Sequence, residues 1–266
     1  MLFSTRHSPA LTDQASPRRC PRSWVLGLCF GAVLALPPLG PMAAAEFTPE
    51  QRRAIEAIVR DYLKKNPEML LDVLQAAEDK LKGEAHDKAS AALANRRHEV
   101  FDDPDAPVAG NPQGDASVVE FFDYRCPYCK QVEPALETLL TEDRQLRFVY
   151  KEFPVLGPES VNAARAALAA RKQAKYDALH RALMGFKGEM DEAAVFKLAS
   201  SVGLDIDRLK RDMAAPDIDR MLKANLGLAD ALDINGTPGF VIGDEIVPGA
   251  VSLDELKRLI EGARHK

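Results

Sequence analysis

The chain is poor in cysteine and aromatic residues, and it has no tract of basic residues and no long apolar run. Of 266 residues four are cysteine and 6% are aromatic, and the formal net charge is −5. An acidic protein without a basic tract lacks the electrostatic surface that nucleic acids require. The longest apolar run, 24–36, has about 13 residues, whereas a bilayer span needs roughly 20. We therefore expect neither a nucleic-acid partner nor a membrane anchor.

The first 45 residues are predicted to be a secretory signal peptide. Four arginines and a single acid precede the apolar run, and small residues in an Ala-x-Ala arrangement come after it, with cleavage after Ala45. Removal of this leader takes Cys20 and Cys29 with it. The exported chain then keeps two cysteines, Cys126 and Cys129, both within the short stretch RCPYCK.

Two cysteines at this spacing can form a structural disulfide, bind a metal ion or carry out redox chemistry. A disulfide that closes a two-residue gap constrains the unfolded chain very little. Zinc sites use four ligands, and the exported chain has no other cysteine and no histidine near the pair in sequence. We therefore predict a redox-active pair with no metal and no cofactor. Because soft thiolates favour Cu(I), a copper-binding or chaperone module remains an alternative.

The segment 46–103 is predicted to be helical and separate from the rest of the chain. Thr48, Pro49 and Gln51 form a capping box with proline at the first helical position. Asn66-Pro67 restarts the helix, which then carries an apolar seam at coiled-coil spacing, made of Leu70, Leu74, Ala77 and Leu81. We predict an oligomerisation stalk, the alternative being a helical pair that folds back on its own domain. The Pro- and Gly-rich stretch 102–116 is interpreted as a linker or loop.

The remainder, 104–266, has the pattern of an α/β domain. SVVEFFDY and LRFVYKEFP are predicted to be buried strands, and the cysteine pair lies between the first strand and a helix. A helical block is predicted over about 158–232. After it, GTPGFVIGDEIVPGA indicates two strands joined at Gly243-Asp244, and Ser252 caps a closing helix.

The position of the pair at a helix N-terminus predicts the role of each cysteine. The free N–H groups and partial positive charge there stabilise a thiolate, so Cys126 is predicted to attack and Cys129 to resolve the mixed disulfide. Pro127 suits the first helical turn. Glu120 lies in an otherwise apolar strand, where burial would raise its pKa and let it exchange a proton with Cys129. The alternative is a Glu120 side chain that faces solvent.

Four motifs, EFFDYRCPYCK, KEFP, GPES and NGTPGFVIG, resemble the DsbA-like branch of the thioredoxin superfamily, and the N-terminal helices are similar to those of its ScsC-like members. The resemblance implies a thioredoxin-like fold with an inserted helical domain, preceded by an α-helical stalk. It implies that Pro238 follows a cis peptide bond and faces the cysteines. The substrate-binding residues would be Pro127, Tyr128, Thr237 and Pro238. It also implies a periplasmic location, a trimer, and a membrane redox partner that resets the pair.

These observations predict a periplasmic disulfide isomerase that acts on misoxidised client proteins. A monomeric dithiol oxidase of the DsbA type is the first alternative, although the well-known oxidases have histidine where this chain has Tyr128. A glutaredoxin-like reductase is the second, because CPYC is also the motif of that family. The signal peptide and the long helical insertion argue against this second alternative.

Overall fold

The computed structural model describes residues 47–265, so the predicted signal peptide with Cys20 and Cys29 lies outside the described residues. The chain forms two compact units, one ending at Asp61 and the other beginning at Tyr62. No helix within 47–265 is long and apolar enough to cross a membrane.

The helical prediction for the N-terminal segment is confirmed. Three helices succeed one another: α1 (Pro49–Lys65), α2 (Glu68–Asn95) and α3 (Arg97–Phe101). The capping box of α1 forms as predicted, because the Gln51 amide donates to Thr48 Oγ1 at 3.2 Å and the Thr48 amide donates to Gln51 Oε1 at 2.9 Å. Every residue of α1 is at least partly exposed, and Ala89 and Leu93 are the two buried residues of α2.

A five-stranded sheet forms the centre of the second unit, in the order β1-β3-β2-β4-β5. Its strands are β1 (Val108–Gly110), β2 (Ala116–Phe122), β3 (Leu146–Glu152), β4 (Gly239–Ile242) and β5 (Glu245–Pro248). Strands β2 and β3 are parallel, and the other three pairings are antiparallel. The central β2 is buried on both faces, which explains its nearly continuous run of apolar residues.

The interpretation of 102–116 as a linker or loop is wrong in part, because β1 lies within it. Val108 pairs with Val149 at the edge of the sheet. The prolines of this stretch and Gly114 flank the short strand without interrupting it. Gly110, with φ +71°, ends it where a side chain would collide with the Leu146 carbonyl.

The remaining helices surround the sheet, and five of them form the helical block predicted between β3 and β4. They are α4 (Pro127–Glu142), α5 (Pro158–Ala170), α6 (Tyr176–Gly185), α7 (Glu192–Ser201), α8 (Ile206–Met213), α9 (Pro216–Ala231) and α10 (Leu253–Arg264). A short 3-10 turn, Arg171–Gln173, joins α5 to α6. Ser252 Oγ accepts from the Glu255 amide at 3.2 Å, so the predicted cap of α10 is confirmed.

Alternate residues of β2 point to opposite faces of the sheet and belong to two different apolar clusters. Val118 and Phe122 belong to the larger cluster with α4, α5 and α6, and Val119 and Phe121 belong to the smaller one. The smaller cluster also contains Leu93, Val100 and Phe101 from the end of the N-terminal helical segment. The final part of that segment therefore packs on the sheet. Glu120 alternates with Val119 and Phe121 and so faces α4, as Val118 and Phe122 do.

Candidate active site

The turn between β2 and α4 places the two cysteines. Asp123 holds this turn: its carbonyl accepts from the Cys126 amide at 3.0 Å, and its Oδ1 accepts from the Arg125 amide at 2.8 Å. Its Oδ2 accepts from the amides of Val155 and Leu156 at 2.9 and 3.0 Å. The turn is thus tied to the chain that leaves β3, and Cys126 becomes the N-cap of α4 with Pro127 in the first turn.

The turn that precedes β4 approaches Cys126 from a distant part of the sequence. Cys126 Sγ donates to the Thr237 carbonyl at 3.1 Å. The Thr237–Pro238 peptide bond is cis, as the resemblance implies. The Pro238 carbonyl in turn accepts from the Gly249 amide at 2.8 Å. Three of the predicted site residues, Cys126, Thr237 and Pro238, therefore meet at one place.

The cysteine pair is asymmetric in its environment. Both cysteines are free thiols, Cys126 with 4% and Cys129 with 0% of its surface exposed. Pro127 and Tyr128 between them are exposed, Tyr128 by 60%. Burial raises the pKa of the Cys129 thiol far above its ordinary value, and the charge of Glu120 raises it further. Cys129 is thus held as a neutral thiol.

Glu120 is the buried acid whose charge acts on the Cys129 thiol. Its side chain is fully buried, which rules out the solvent-facing alternative, and neither carboxylate oxygen has a hydrogen-bond partner within residues 47–265. Burial raises the pKa of Glu120 well above its usual range, and the neighbouring charges of Glu133 and Cys126 act in the same direction. A buried carboxyl group with a pKa raised in this way can hold a proton that an ordinary glutamate would release.

A second buried polar cluster, which the sequence interpretation missed, lies beside the active-site turn. Glu152 Oε1 accepts from the hydroxyls of Tyr124 and Tyr176, both at 2.9 Å. The Tyr124 hydroxyl is also 3.0 Å from His180 Nδ1, and His180 Nε2 is 3.6 Å from Glu133 Oε1. Burial raises the pKa of Glu152 to about 8, despite the hydrogen bonds from the two tyrosines. In the sequence, the one sign of this cluster was Glu152, an acid within the predicted buried strand LRFVYKEFP.

The described residues do not assemble a metal site. Within 47–265 there is no group of three or more histidine, cysteine, aspartate or glutamate side chains that could hold a metal ion. His180 contacts Tyr124 and lies among the rings of Phe122, Tyr150 and Tyr176. Its side chain is therefore part of the packed interior.

Comparison with known families and structures gives consistent matches. A family model for the DSBA-like thioredoxin domain matches residues 117–261, and one for the Copper resistance protein ScsC N-terminal domain matches residues 51–82. A thioredoxin-like oxidoreductase from Silicibacter pomeroyi DSS-3 is 48% identical with a TM-score of 0.63, and the match covers 64% of this chain and 98% of that one.

One further solved structure covers more of this chain. Proteus mirabilis ScsC, in a transitional conformation, is 31% identical, with a TM-score of 0.61 and coverage of 82% of this chain and 99% of that one. Among curated sequences, the Na(+)/H(+) antiporter NhaA 1 of Salinispora arenicola is 31% identical over 164 residues, which are 60% of this chain and 25% of that protein. The chain thus spans about a quarter of the length of the curated relatives it matches.

Proposed function

Because this chain belongs to the DsbA-like thioredoxin domain family, we propose that it is an exported thiol–disulfide oxidoreductase that isomerises disulfides in misoxidised client proteins. The solved relatives confirm the thioredoxin-like fold with its helical insertion. The observation that supports the exchange chemistry is the position of Cys126 at the N-cap of α4, where its Sγ also contacts the Thr237 carbonyl.

The reaction begins with attack of the Cys126 thiolate on one sulfur of a client disulfide. A bond forms between Cys126 and that sulfur, and the other client sulfur leaves as a thiolate. The released client thiolate attacks a different disulfide within the client. A second client thiolate then displaces Cys126, so the client is rearranged without net oxidation or reduction. The positive end of α4 stabilises the Cys126 thiolate as it attacks and as it leaves.

Cys129 acts when the client fails to rearrange. Glu120 removes the Cys129 proton, and the resulting thiolate attacks Cys126 Sγ, which releases the client as a thiol and leaves a Cys126–Cys129 disulfide. A membrane redox partner then supplies two electrons to reset the pair. During that step Glu120 returns the proton to the departing Cys129 sulfur. The raised pKa of the Glu120 carboxyl brings it closer to that of a thiol, which favours proton transfer between the two groups in both directions.

The exposed apolar face of α2 supports isomerisation by a homo-oligomer. Leu70, Leu74 and Leu81 of the predicted seam are 46%, 60% and 65% exposed. Leu71 and Val73 are also exposed, so the apolar surface is wider than a single seam. Such a helix is marginal alone in water and needs partner helices to cover this face. A trimer, as the ScsC-like resemblance implies, would place several cysteine pairs near one client and raise their effective concentration.

The test uses a variant that keeps the disulfide-exchange site but lacks the helical surface predicted to form the trimer. The variant lacking residues 47–81 keeps Leu93, Val100 and Phe101, which pack on the sheet, and loses the exposed seam. We expect light scattering to give a trimer for the exported chain and a monomer for this variant. The monomer should still reduce a small disulfide but should fail to reactivate scrambled ribonuclease. A monomeric exported chain at micromolar concentration would instead favour a DsbA-like oxidase, and the reduction potential of the pair would identify it.

A further inference from the structure

A cleft of about 400 Å³ opens between α2 and the turn that precedes β4. One wall is the stretch of α2 that carries Lys82, Ala85, His86 and Ala89, and the other runs from Ile234 to Pro238. The lining is completed by Leu232, Asp233, Ile246, Pro248 and Gly249. The volume is in the range of sites that hold a small ligand or one or two side chains. We call this feature the α2 cleft.

The α2 cleft is continuous with the place where a client would be attached. Thr237 and Pro238 line it, and the Thr237 carbonyl contacts Cys126 Sγ at 3.1 Å. A client chain joined to Cys126 by a mixed disulfide therefore passes the mouth of the cleft within a few residues of its reacting cysteine. We propose that α2 is part of the client-binding site and that the α2 cleft holds an apolar side chain close to the client cysteine, an inference that rests on the proposed function.

The residues that line the cleft favour binding of an apolar client side chain over pairing of a client strand with the edge of the sheet. Leu232 and Ile234 are nearly fully buried at the base of the cleft, and Ile246 contributes a further apolar surface. β5 is an edge strand, but Pro248 has no N–H, so an added client strand would lack a hydrogen bond beside the active site. Misoxidised proteins expose apolar residues that a native protein buries. A cleft selective for such residues would direct exchange to those clients.

The stretch of α2 that forms one wall of the cleft is fixed to the rest of the fold, and its small side chains leave room for a client side chain. Leu93, two turns beyond Ala85, is buried against the sheet, and Arg96 Nη1 donates to the Gly227 carbonyl at 3.2 Å. Ala85 and Ala89 present only methyl groups to the cleft. Lys82 and His86 are exposed at its rim. A larger residue at position 85 would fill the space that a client side chain occupies.

The experiment compares exchange rates with short peptide disulfides that differ at one position. Each peptide pair differs at one of the two positions on either side of the cysteine. One member of the pair has leucine there and the other has serine. We expect the exported chain to react about tenfold faster with the leucine peptide at one or more positions, as burial of one apolar side chain allows. Ala85→Trp should reduce this leucine-to-serine ratio to below about threefold. The matched control is Ala91→Trp, because Ala91 is exposed on α2 and does not line the cleft.

The outcomes separate this inference from the proposed function. A leucine-to-serine ratio within about twofold at every position in the exported chain, or a ratio unchanged by Ala85→Trp, overturns the role of the α2 cleft while exchange itself stands. Failure of the exported chain to react with any peptide or with oxidised glutathione overturns the proposed function and this inference with it. If circular dichroism shows that Ala85→Trp is unfolded, Ala85→Leu decides by the same ratio.

Discussion

Replacement of Glu152 by glutamine should change how the stability of the protein depends on pH. Burial raises the pKa of Glu152 from its ordinary value of 4.5 to about 8. Between these two values the folded chain keeps a proton on this carboxyl group and the unfolded chain releases it. The unfolded state therefore binds fewer protons, and the free energy of unfolding falls as pH rises through this window.

The shift in the pKa of Glu152 sets how much the free energy of unfolding changes with pH. One pKa unit corresponds to about 1.4 kcal/mol, so this single group should remove about 2.5 kcal/mol of stability between roughly pH 5.5 and 7.5. Glutamine cannot ionise, but its side-chain oxygen can still accept from Tyr124 and Tyr176. Relative to wild type, Glu152→Gln should therefore gain about 2.5 kcal/mol across the same window.

Urea denaturation of the reduced protein at several pH values measures this difference. Glu137→Gln is the matched control, because Glu137 is exposed on α4 and its curve should run parallel to that of wild type. Glu120 contributes to the wild-type slope with the same sign, since its pKa is also raised by burial. The comparison with Glu152→Gln removes that shared contribution. Parallel curves for wild type and Glu152→Gln would refute the assignment of a neutral, buried Glu152.

Three further predictions concern the cysteine pair and the fold. Cys126→Ser should abolish exchange, and Cys129→Ser should accumulate mixed disulfides with clients, visible on non-reducing gels; full turnover by Cys129→Ser would contradict the resolving role. Glu120→Gln should fold but release clients from the mixed disulfide at least tenfold more slowly, because general base catalysis typically contributes about 10²–10⁴-fold. A release rate that equals wild type from about pH 5 to 9, measured by stopped flow, would remove Glu120 from the mechanism. Ser252→Ala should lower the free energy of unfolding by about 1 kcal/mol through loss of the α10 cap, and an unchanged urea midpoint would show that the cap contributes nothing.

Features that depend on neighbouring residues were predictable from the sequence. Helix caps at Thr48 and Ser252 require partners three residues away, so the local pattern was sufficient to predict them. The buried strands β2 and β3 were evident from their apolar runs, and the position of Cys126 at a helix start was predicted by the strand-to-helix change around it. For the same reason the apolar residues around Glu120 in β2 indicated that its carboxyl group could be buried.

Features that depend on residues distant in the chain arise only in the folded molecule. The three-residue strand β1 has too little apolar pattern of its own and exists because β3 offers an edge for pairing. Tyr124, Glu152 and His180 come from a turn, a strand and a helix, and no local spacing relates them. The α2 cleft likewise forms only where Leu93 fixes α2 against the sheet, beside a turn that lies more than a hundred residues later. Burial and charge at such sites are sums over neighbours brought together by folding, and those neighbours set the pKa of each buried acid.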